Sequence, residues 1–96
     1  MSQLLLLVKY KTKHNAGKDF IDKVNSSGIL KRIYAEDGFI SYNYYFDAAD
    51  QDGILLVEEW ESEVHQQKHL QAAHMNELKK IKEKYVLDTS VRKVVL

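Results

Sequence analysis

The stretch from residue 4 to 12, LLLLVKYKT, constrains the fold more than any other part of the sequence. It begins as an unbroken apolar run and then alternates, so that Val8, Tyr10 and Thr12 share one face while two lysines occupy the other. An apolar run without alternation predicts a strand that is buried on both faces at its start. The fold must therefore supply cover on both sides of a sheet.

A helix is predicted directly after this strand. His14, Asn15 and Gly17 mark a turn, and apolar residues then recur at helical spacing from Phe20 to Ile33. The segment Asn25-Ser26-Ser27-Gly28 has poor helix propensity and can kink or split the helix. We expect one helix over about residues 17–34.

An antiparallel hairpin is predicted next. Residues 39–46 alternate in aromatic and polar side chains, which indicates a strand. The polar segment DAADQDG, residues 47–53, predicts a loop of about six residues, and the β pattern resumes from Ile54 to Glu61. These two strands should be neighbours in the sheet.

Two helices and a last strand complete the pattern. Ser62 is suited to cap a short helix over about residues 62–70. A second helix carries Met75, Leu78, Ile81 and Tyr85 on one face. Leu87 and the segment 91–96 supply the last strand.

The predicted order is β-α-β-β-α-β in a single domain over residues 1–96, an α+β, ferredoxin-like fold with a four-stranded antiparallel sheet. The helices cover one face of such a sheet. Several strands are apolar on both faces, and monomers rarely expose a large apolar patch. We therefore expect two sheets to pair face to face in a C2 homodimer.

Charge and composition exclude several classes of protein. Fourteen basic and fourteen acidic residues give a formal net charge of zero, which argues against a nucleic-acid partner. The absence of cysteine excludes disulfides, thiolate metal sites and a cysteine nucleophile. The apolar run at the N-terminus is too short for a membrane span or a signal peptide, so the expected location is cytoplasmic and away from membranes.

The segment from Glu58 to His74 carries the candidate chemistry. Glu58 and Trp60 lie on one face of the third strand, because side chains two residues apart in a strand share a face. His69 and His74 follow on helical segments that must fold back across the sheet. An acid, an indole and two imidazoles can thus converge on one pocket.

Metal binding is a weaker hypothesis. His65 and His69 are four residues apart and would share a helix face, as paired zinc ligands do. The sequence between them, HQQKH, has no glutamate beside the first histidine, and no third ligand has an obvious place. We expect no metal site, and we expect His14 and His65 to be solvent-exposed surface residues.

The sequence resembles the antibiotic biosynthesis monooxygenase family, and in particular its quinol-monooxygenase-like members. The resemblance rests on EDGFISYNYYF, a short polar turn, LLVEEWES and HLQAAH, in that order. In that family an acidic-glycine turn precedes the second strand, a Glu-x-Trp or Glu-x-Tyr pair ends the third, and a histidine follows nine residues later. The match covers almost the whole chain in element order.

This resemblance implies a dimeric α+β barrel with a pocket between sheet and helices in each subunit. It also implies oxygen chemistry on a small quinol or polyphenol without flavin or metal, in which the protein binds, deprotonates and desolvates the ring. His69 would accept the proton of the substrate hydroxyl and His74 would be a second polar group. Trp60, Tyr42 and Tyr44 would form an aromatic wall.

Simpler roles compete with these assignments. Trp60, Tyr42 and Tyr44 can serve only in core or interface packing, because aromatic residues dominate small cores. Glu58, assigned to substrate binding above, can instead accept structural hydrogen bonds or pair with a cation across the dimer, since a buried unpaired carboxylate is costly.

Three other functions stay open. Some similar proteins isomerise or break down a small signalling metabolite, and a dimer of this fold can also bind a small ligand without catalysis. Heme-degrading members also exist, and QAAH ending at His74 is comparable with their heme-ligating histidine. Those proteins place an asparagine on the first strand, which residues 4–12 lack, and His69 stands where they have a second tryptophan. The expected protein therefore has no cofactor, with heme as the minor alternative.

Overall fold

The computed structural model describes residues 3–96, which form a four-stranded sheet with four helices. The strands are β1 (Leu4–Thr12), β2 (Phe39–Asp47), β3 (Asp50–Trp60) and β4 (Val86–Val95). The helices are α1 (Gly17–Ser27), α2 (Ile29–Tyr34), α3 (Glu63–Leu70) and α4 (His74–Tyr85).

All neighbouring strands are antiparallel, in the order β2-β3-β1-β4. The predicted ferredoxin-like α+β fold is therefore confirmed. The continuous apolar strand β1 is central, between β3 and β4, as its sequence requires. Its Leu4, Leu6, Val8 and Tyr10 are buried beneath the helices.

The apolar core lies between the sheet and the helices. Residues on α1 and α2 recur at intervals of about four positions and therefore face the sheet. Phe20 and Val24 of α1 and Ile29 and Ile33 of α2 are each 0% exposed. On α4, Leu78 and Ile81 are also buried against the sheet, whereas α3 buries only Gln66 and His69.

The expectation of one helix over residues 17–34 was wrong. Gly28 adopts a left-handed backbone conformation, with φ of 80°, and separates α1 from α2. The Ser27 hydroxyl donates to the Val24 carbonyl at 2.7 Å and accepts from the Ile29 amide at 3.2 Å. Serine thus competes for helical backbone groups at the position where glycine removes the steric cost of the bend.

The hairpin loop is also shorter than predicted. Asp47 pairs with Asp50, so that only two residues connect β2 and β3, and the register then shifts before Phe46 pairs with Ile54. The Asp47 carboxylate accepts from the Ala49 amide at 2.8 Å, and that of Asp50 accepts from the Asp52 amide at 3.0 Å. Aspartates that bond the backbone two residues later stabilise tight turns, so this polar segment forms a turn and an irregular strand start.

None of the helices in residues 3–96 covers the opposite face of the sheet. Leu5, Leu7, Leu55 and Val57 lie on this face and are half-buried, and Tyr45 is exposed. A wide groove of about 810 Å³ runs along it. Within the described part of the chain, no helix has the length and apolar character needed to cross a membrane.

Candidate active site

A cavity of about 240 Å³ lies between the sheet and the helices α3 and α4. Its apolar wall includes Leu6, Val8, Leu70, Met75 and Val91. Its polar wall consists of Tyr10, Tyr42, Glu58, Gln66, His69, Lys82, Thr89 and Lys93. Most of the surface that lines the cavity is nevertheless apolar, and an apolar cavity with convergent polar groups is the usual form of a small-molecule site. The larger groove on the other face contains no histidine among its lining residues and so lacks a comparable base.

Glu58 is a buried carboxylate in the wall of this cavity. The Trp60 indole Nε1 donates to Glu58 Oε1 at 2.9 Å, and Glu58 is only 5% exposed. Burial raises the pKa of Glu58 because it disfavours the charged form, while the Trp60 hydrogen bond opposes this shift. The shared strand face predicted for these two residues is therefore confirmed.

Tyr10, Tyr42 and Tyr44 form an aromatic cluster beside Glu58. Burial is the main cause that raises the pKa of each phenol, so all three stay neutral at physiological pH. The Tyr42 and Tyr44 hydroxyls lie close enough to influence each other's pKa. The Tyr44 hydroxyl nevertheless has no partner within hydrogen-bond geometry among residues 3–96. Among the described residues, this hydroxyl is therefore a buried polar group without a partner.

His69 is held by the local structure of α3. The Ser62 hydroxyl caps the helix by accepting from the His65 amide at 3.3 Å, which fixes the start of α3 and hence the direction of its buried face. The His69 ring lies 4.5 Å from the Trp60 ring, centroid to centroid, at an angle of 33°. Tyr42 contacts the same imidazole edge to face at 5.9 Å. The imidazole is 1% exposed and is thus fixed between aromatic rings.

Glu36 joins the two histidines through one oxygen atom. Its Oε2 lies 2.8 Å from His69 Nδ1 and 2.8 Å from His74 Nε2. A carboxylate has no proton to donate, so each of these ring nitrogens must carry the hydrogen. In the neutral ring this leaves His69 Nε2 with the lone pair, and Glu36 therefore fixes the tautomer in which His69 can act as a base.

Sequence reasoning missed Glu36. It lies between α2 and β2, 33 residues before His69 and 38 before His74, so no local motif connects it to them. The pairing of Phe39 with Trp60 brings this segment beside the chain that leaves β3. Once the β2–β3 hairpin is predicted, that pairing is the one signal that could have placed Glu36 near α3.

The same three residues form a potential metal-ligand set. One ligand atom from each of Glu36, His69 and His74 lies within 4.8 Å of the others. Two histidines and a carboxylate suit zinc or iron. The two hydrogen bonds at 2.8 Å already use the coordinating atoms, so metal binding would have to displace both ring protons.

The structure divides the predicted site residues into two groups. His69, Tyr42 and Glu58 line the cavity. His74, Trp60 and Tyr44 are not among its lining residues: His74 contacts Glu36, Trp60 supports Glu58 and His69, and the Tyr44 ring packs on Phe20.

The two remaining histidines, His14 and His65, differ in exposure. His14 is exposed, with 76% of its side chain accessible, as expected. The same expectation for His65 was wrong, because only 19% of its side chain is accessible. Its Nδ1 contacts the Ser62 hydroxyl at 2.7 Å, and its ring occupies the space beside Gly38, where an added Cβ would lie 2.2 Å from the imidazole. Gly38 also has a positive φ of 77°, so this position requires glycine on both counts.

Comparison with solved structures shows the same fold in proteins of low sequence identity. A conserved protein of Methanosarcina mazei Go1 has 19% identity and a TM-score of 0.85, with 98% of this chain and 92% of that one covered. A possible oxidoreductase of Bacteroides thetaiotaomicron has 17% identity and a TM-score of 0.85, with 99% and 98% covered. A candidate antibiotic biosynthesis monooxygenase of Chloroflexus aurantiacus has 18% identity and a TM-score of 0.82, with 99% and 93% covered.

The sequence comparison defines the family. The family model described as antibiotic biosynthesis monooxygenase matches residues 4–80, which include β1 to β3, α1 to α3 and the first half of α4. A search of curated proteins gave no match. The chain belongs to the antibiotic biosynthesis monooxygenase family, as the sequence motifs implied.

Proposed function

We propose that this protein is a cofactor-independent monooxygenase that oxidises a small quinol or polyphenol in the cavity beside His69. The observation that carries the proposal is the hydrogen bond from His69 Nδ1 to Glu36 Oε2, at 2.8 Å. It leaves His69 Nε2 as the basic nitrogen of a ring that belongs to the cavity wall. Membership of the family supports the same class of chemistry.

His69 is the general base in this mechanism. It takes the proton of a substrate hydroxyl at Nε2, and the Glu36 carboxylate stabilises the imidazolium that forms. His74 donates to the same oxygen at 2.8 Å and so helps to hold the Glu36 carboxylate in place. Loss of its proton converts the substrate hydroxyl to a phenolate, which is a better electron donor than the phenol.

The substrate supplies all the electrons that reduce dioxygen. For a hydroquinone, one ring C–H bond is replaced by C–OH and the two original hydroxyls become quinone carbonyls. The O–O bond breaks, one oxygen atom enters the product and the other leaves as water. The products are a hydroxyquinone and water, and His69 returns its proton to the departing oxygen.

Tyr42 and Glu58 are substrate-binding groups in the proposal. Burial raises the pKa of both side chains, and the Tyr42 hydroxyl can donate a hydrogen bond to the substrate. Trp60 and Tyr44 act from behind the wall, where Trp60 fixes Glu58 and the plane of His69. His74 acts through Glu36.

The test is oxygen consumption by protein treated with a chelator, measured against a panel of reduced quinols and polyphenols. We expect uptake of one O₂ per substrate, and a loss of about 10²- to 10⁴-fold in kcat for His69→Ala. His14→Ala is the matched control, because His14 is exposed and distant from the cavity. It should keep full activity.

Other outcomes would change the assignment. Substrate conversion without oxygen uptake would indicate an isomerase, and stoichiometric binding without product would indicate a binding protein. Activity that the chelator removes and zinc or iron restores would indicate a metal at Glu36, His69 and His74. Equal rates for wild type and His69→Ala would contradict His69 as the base.

The geometry argues against the heme alternative. His74 Nε2, the atom that would ligate iron, bonds to Glu36 and lies outside the cavity lining. A cavity of about 240 Å³ is also small for a four-pyrrole macrocycle, given that pockets for drug-sized ligands begin at about 300 Å³.

We also propose that the protein acts as a homodimer in which a second copy covers the uncovered face of the sheet. Half-buried Leu5, Leu7, Leu55 and Val57, with exposed Tyr45, give this face the apolar character that dimer interfaces share. A substitution that placed a glutamate at the centre of this face would bury an unpaired carboxylate in a C2 dimer. This would strongly weaken association.

Sedimentation equilibrium of Leu55→Glu tests the dimer. Wild type should sediment at twice the mass of the chain and Leu55→Glu as a monomer. Lys31→Glu, on the exposed side of α2, is the control and should stay dimeric. A monomeric wild type would contradict the proposed dimer.

A further inference from the structure

Lys82 is a charged residue of the cavity wall to which the proposed chemistry gives no role. It lies on α4, one turn after the buried Leu78, and is only partly accessible. Its ammonium Nζ is 5.9 Å from the centre of the Tyr10 ring, where the two can form a weak cation–π contact. The charge is thus held at the cavity by an aromatic ring of the wall.

Within residues 3–96, Lys82 makes neither an ion pair within 4.0 Å nor a side-chain hydrogen bond. Lys93 lines the same cavity but is neutralised by Glu63, at 3.1 Å. The two lysines therefore differ, and only Lys82 has a charge available to a ligand.

Burial has a cost for such a lysine. It lowers the pKa of Lys82, and the nearby charge of Lys79 acts in the same direction, while Glu58 opposes the shift. A partly buried ammonium that lacks a partner is unfavourable unless a ligand supplies the negative charge. Charges of this kind, placed in a cleft, are candidates for a functional site.

We infer that Lys82 binds an anionic group of the substrate, so that the substrate is a small hydroxylated ring that carries a carboxylate. This rests on the proposed function for the position of the reacting hydroxyl, which lies at His69. The ring then occupies the apolar part of the cavity between the two polar ends. The carboxylate replaces the water that would otherwise solvate the Lys82 ammonium.

The cavity volume agrees with one substituted ring. A protein cavity of about 150 Å³ is large enough to bind benzene. The additional volume here, up to about 240 Å³, suits two hydroxyls and a carboxylate on one ring. A larger polycyclic substrate does not fit without movement of α3 or α4.

Glu58 is the one carboxylate among the described residues that line the cavity. Burial raises its pKa, while the hydrogen bond from Trp60 and the charge of Lys82 act in the opposite direction. Burial therefore weakens the repulsion between Glu58 and an anionic ligand, and the Lys82 ammonium supplies the attraction.

The experiment is anaerobic calorimetric titration with a matched pair of ligands, 2,5-dihydroxybenzoate and hydroquinone. They share the hydroquinone ring and differ by one carboxylate. We expect wild type to bind the carboxylated ligand at least about tenfold more tightly, the effect of one charge-assisted hydrogen bond. Lys82→Met should remove this preference while affinity for hydroquinone changes less than about twofold.

Two further variants make the test specific. Lys82→Arg keeps the charge and should keep the preference, which excludes a general effect of replacing the side chain. Lys79→Met removes an exposed charge from the same helix and should behave as wild type. Methionine is a good helix former, so both methionine variants should stay folded, and a thermal melt checks this.

The outcomes separate this inference from the proposed function, because binding is measured without oxygen. Equal affinity of wild type for the two ligands, or a preference that survives Lys82→Met, would overturn the role of Lys82 whatever the activity. A preference that depends on Lys82 but is followed by no oxygen uptake would sustain the anion site and contradict the monooxygenase.

Discussion

The two helix pairs that cover the same sheet produce different environments. Beneath α1 and α2 the space is filled by apolar side chains. The Phe20 ring, for example, contacts the rings of Tyr10, Tyr44 and Tyr85. Beneath α3 and α4 a cavity of about 240 Å³ remains, with Glu58, His69 and Lys82 in its wall. We call these the filled half and the open half.

The difference has its origin in α3. This helix, EVHQQKHL, turns only a glutamine and a histidine toward the sheet, whereas α1 turns a phenylalanine and a valine. Apolar side chains close-pack, but polar side chains must keep hydrogen-bond partners and cannot fill space freely. The filled half therefore supplies packing stability, and the open half is the part of the molecule in which we propose that the chemistry takes place.

Phe20→Ala should be the most destabilising change in the filled half. Removing a fully buried phenylalanine costs about 3–5 kcal/mol, a large part of the 5–15 kcal/mol typical of a domain. Urea unfolding measures the loss. Leu70→Ala, at the half-exposed edge of the open half, should cost less than about 1 kcal/mol. Equal losses would show that the halves do not differ in packing.

Glu36→Gln should have an intermediate effect, centred on the open half. Glutamine can accept from one histidine but presents a donor to the other, so one N–H is left unpaired at a cost of about 1–3 kcal/mol. Nitrogen-15 NMR of the imidazoles should show His69 as the Nδ1–H tautomer in wild type and a mixture in the variant. Asp37→Asn, the exposed neighbour, is the control and should leave the tautomer unchanged.

Glu58→Gln should have the smallest effect, which is a change in how steeply the free energy of unfolding depends on pH. The pKa of Glu58 is raised above 4.5 in the folded state, so between these two pKa values the folded protein holds more protons than the unfolded one. This contribution to stability is present at low pH and is lost as the pH rises through the folded pKa. Glu58→Gln should remove that part of the decline while keeping an acceptor for Trp60.

Urea unfolding across pH 4 to 8 measures this pH dependence. Wild type and Glu58→Gln share all other titrating groups, so the difference between them reports on Glu58. The groups that act on Glu58 are Tyr10, Tyr42, Tyr44, His69, Lys82, Glu36 and Trp60. Trp60→Phe removes the hydrogen bond that lowers the pKa of Glu58 and should therefore steepen the decline. A decline of the same slope in Glu58→Gln as in wild type would contradict the assignment.

Local patterns were sufficient for most of the fold. Alternation and helical spacing located all four strands, and Ser62 located the start of α3, because these signals act over a few residues. They failed at Gly28, where the helical pattern continued through a break, and at the turn after Asp47. In both places a side chain bonds the nearby backbone and alters a path that periodicity alone describes as regular.

The site was only partly predictable. Glu58, Trp60 and His69 lie close in sequence. Strand periodicity, with one helix that folds back across the sheet, was enough to predict that they lie together. His65 was misplaced because nothing local indicates that its ring fills the space beside Gly38. Tyr42 reached the cavity and Tyr44 did not, a difference set by how α1 and α4 pack above the sheet.

The sequence by itself determined the four strands, their order along the chain, the burial of β1 and the family. Each of these depends on periodicity or on residues close together in the chain. Tertiary structure alone decided that Glu36 joins His69 to His74, and that Lys82 faces the cavity with no ion-pair partner within 4.0 Å among residues 3–96. The reason is physical: a hydrogen bond across more than thirty residues, or a space between helices, depends on packing that no local pattern records.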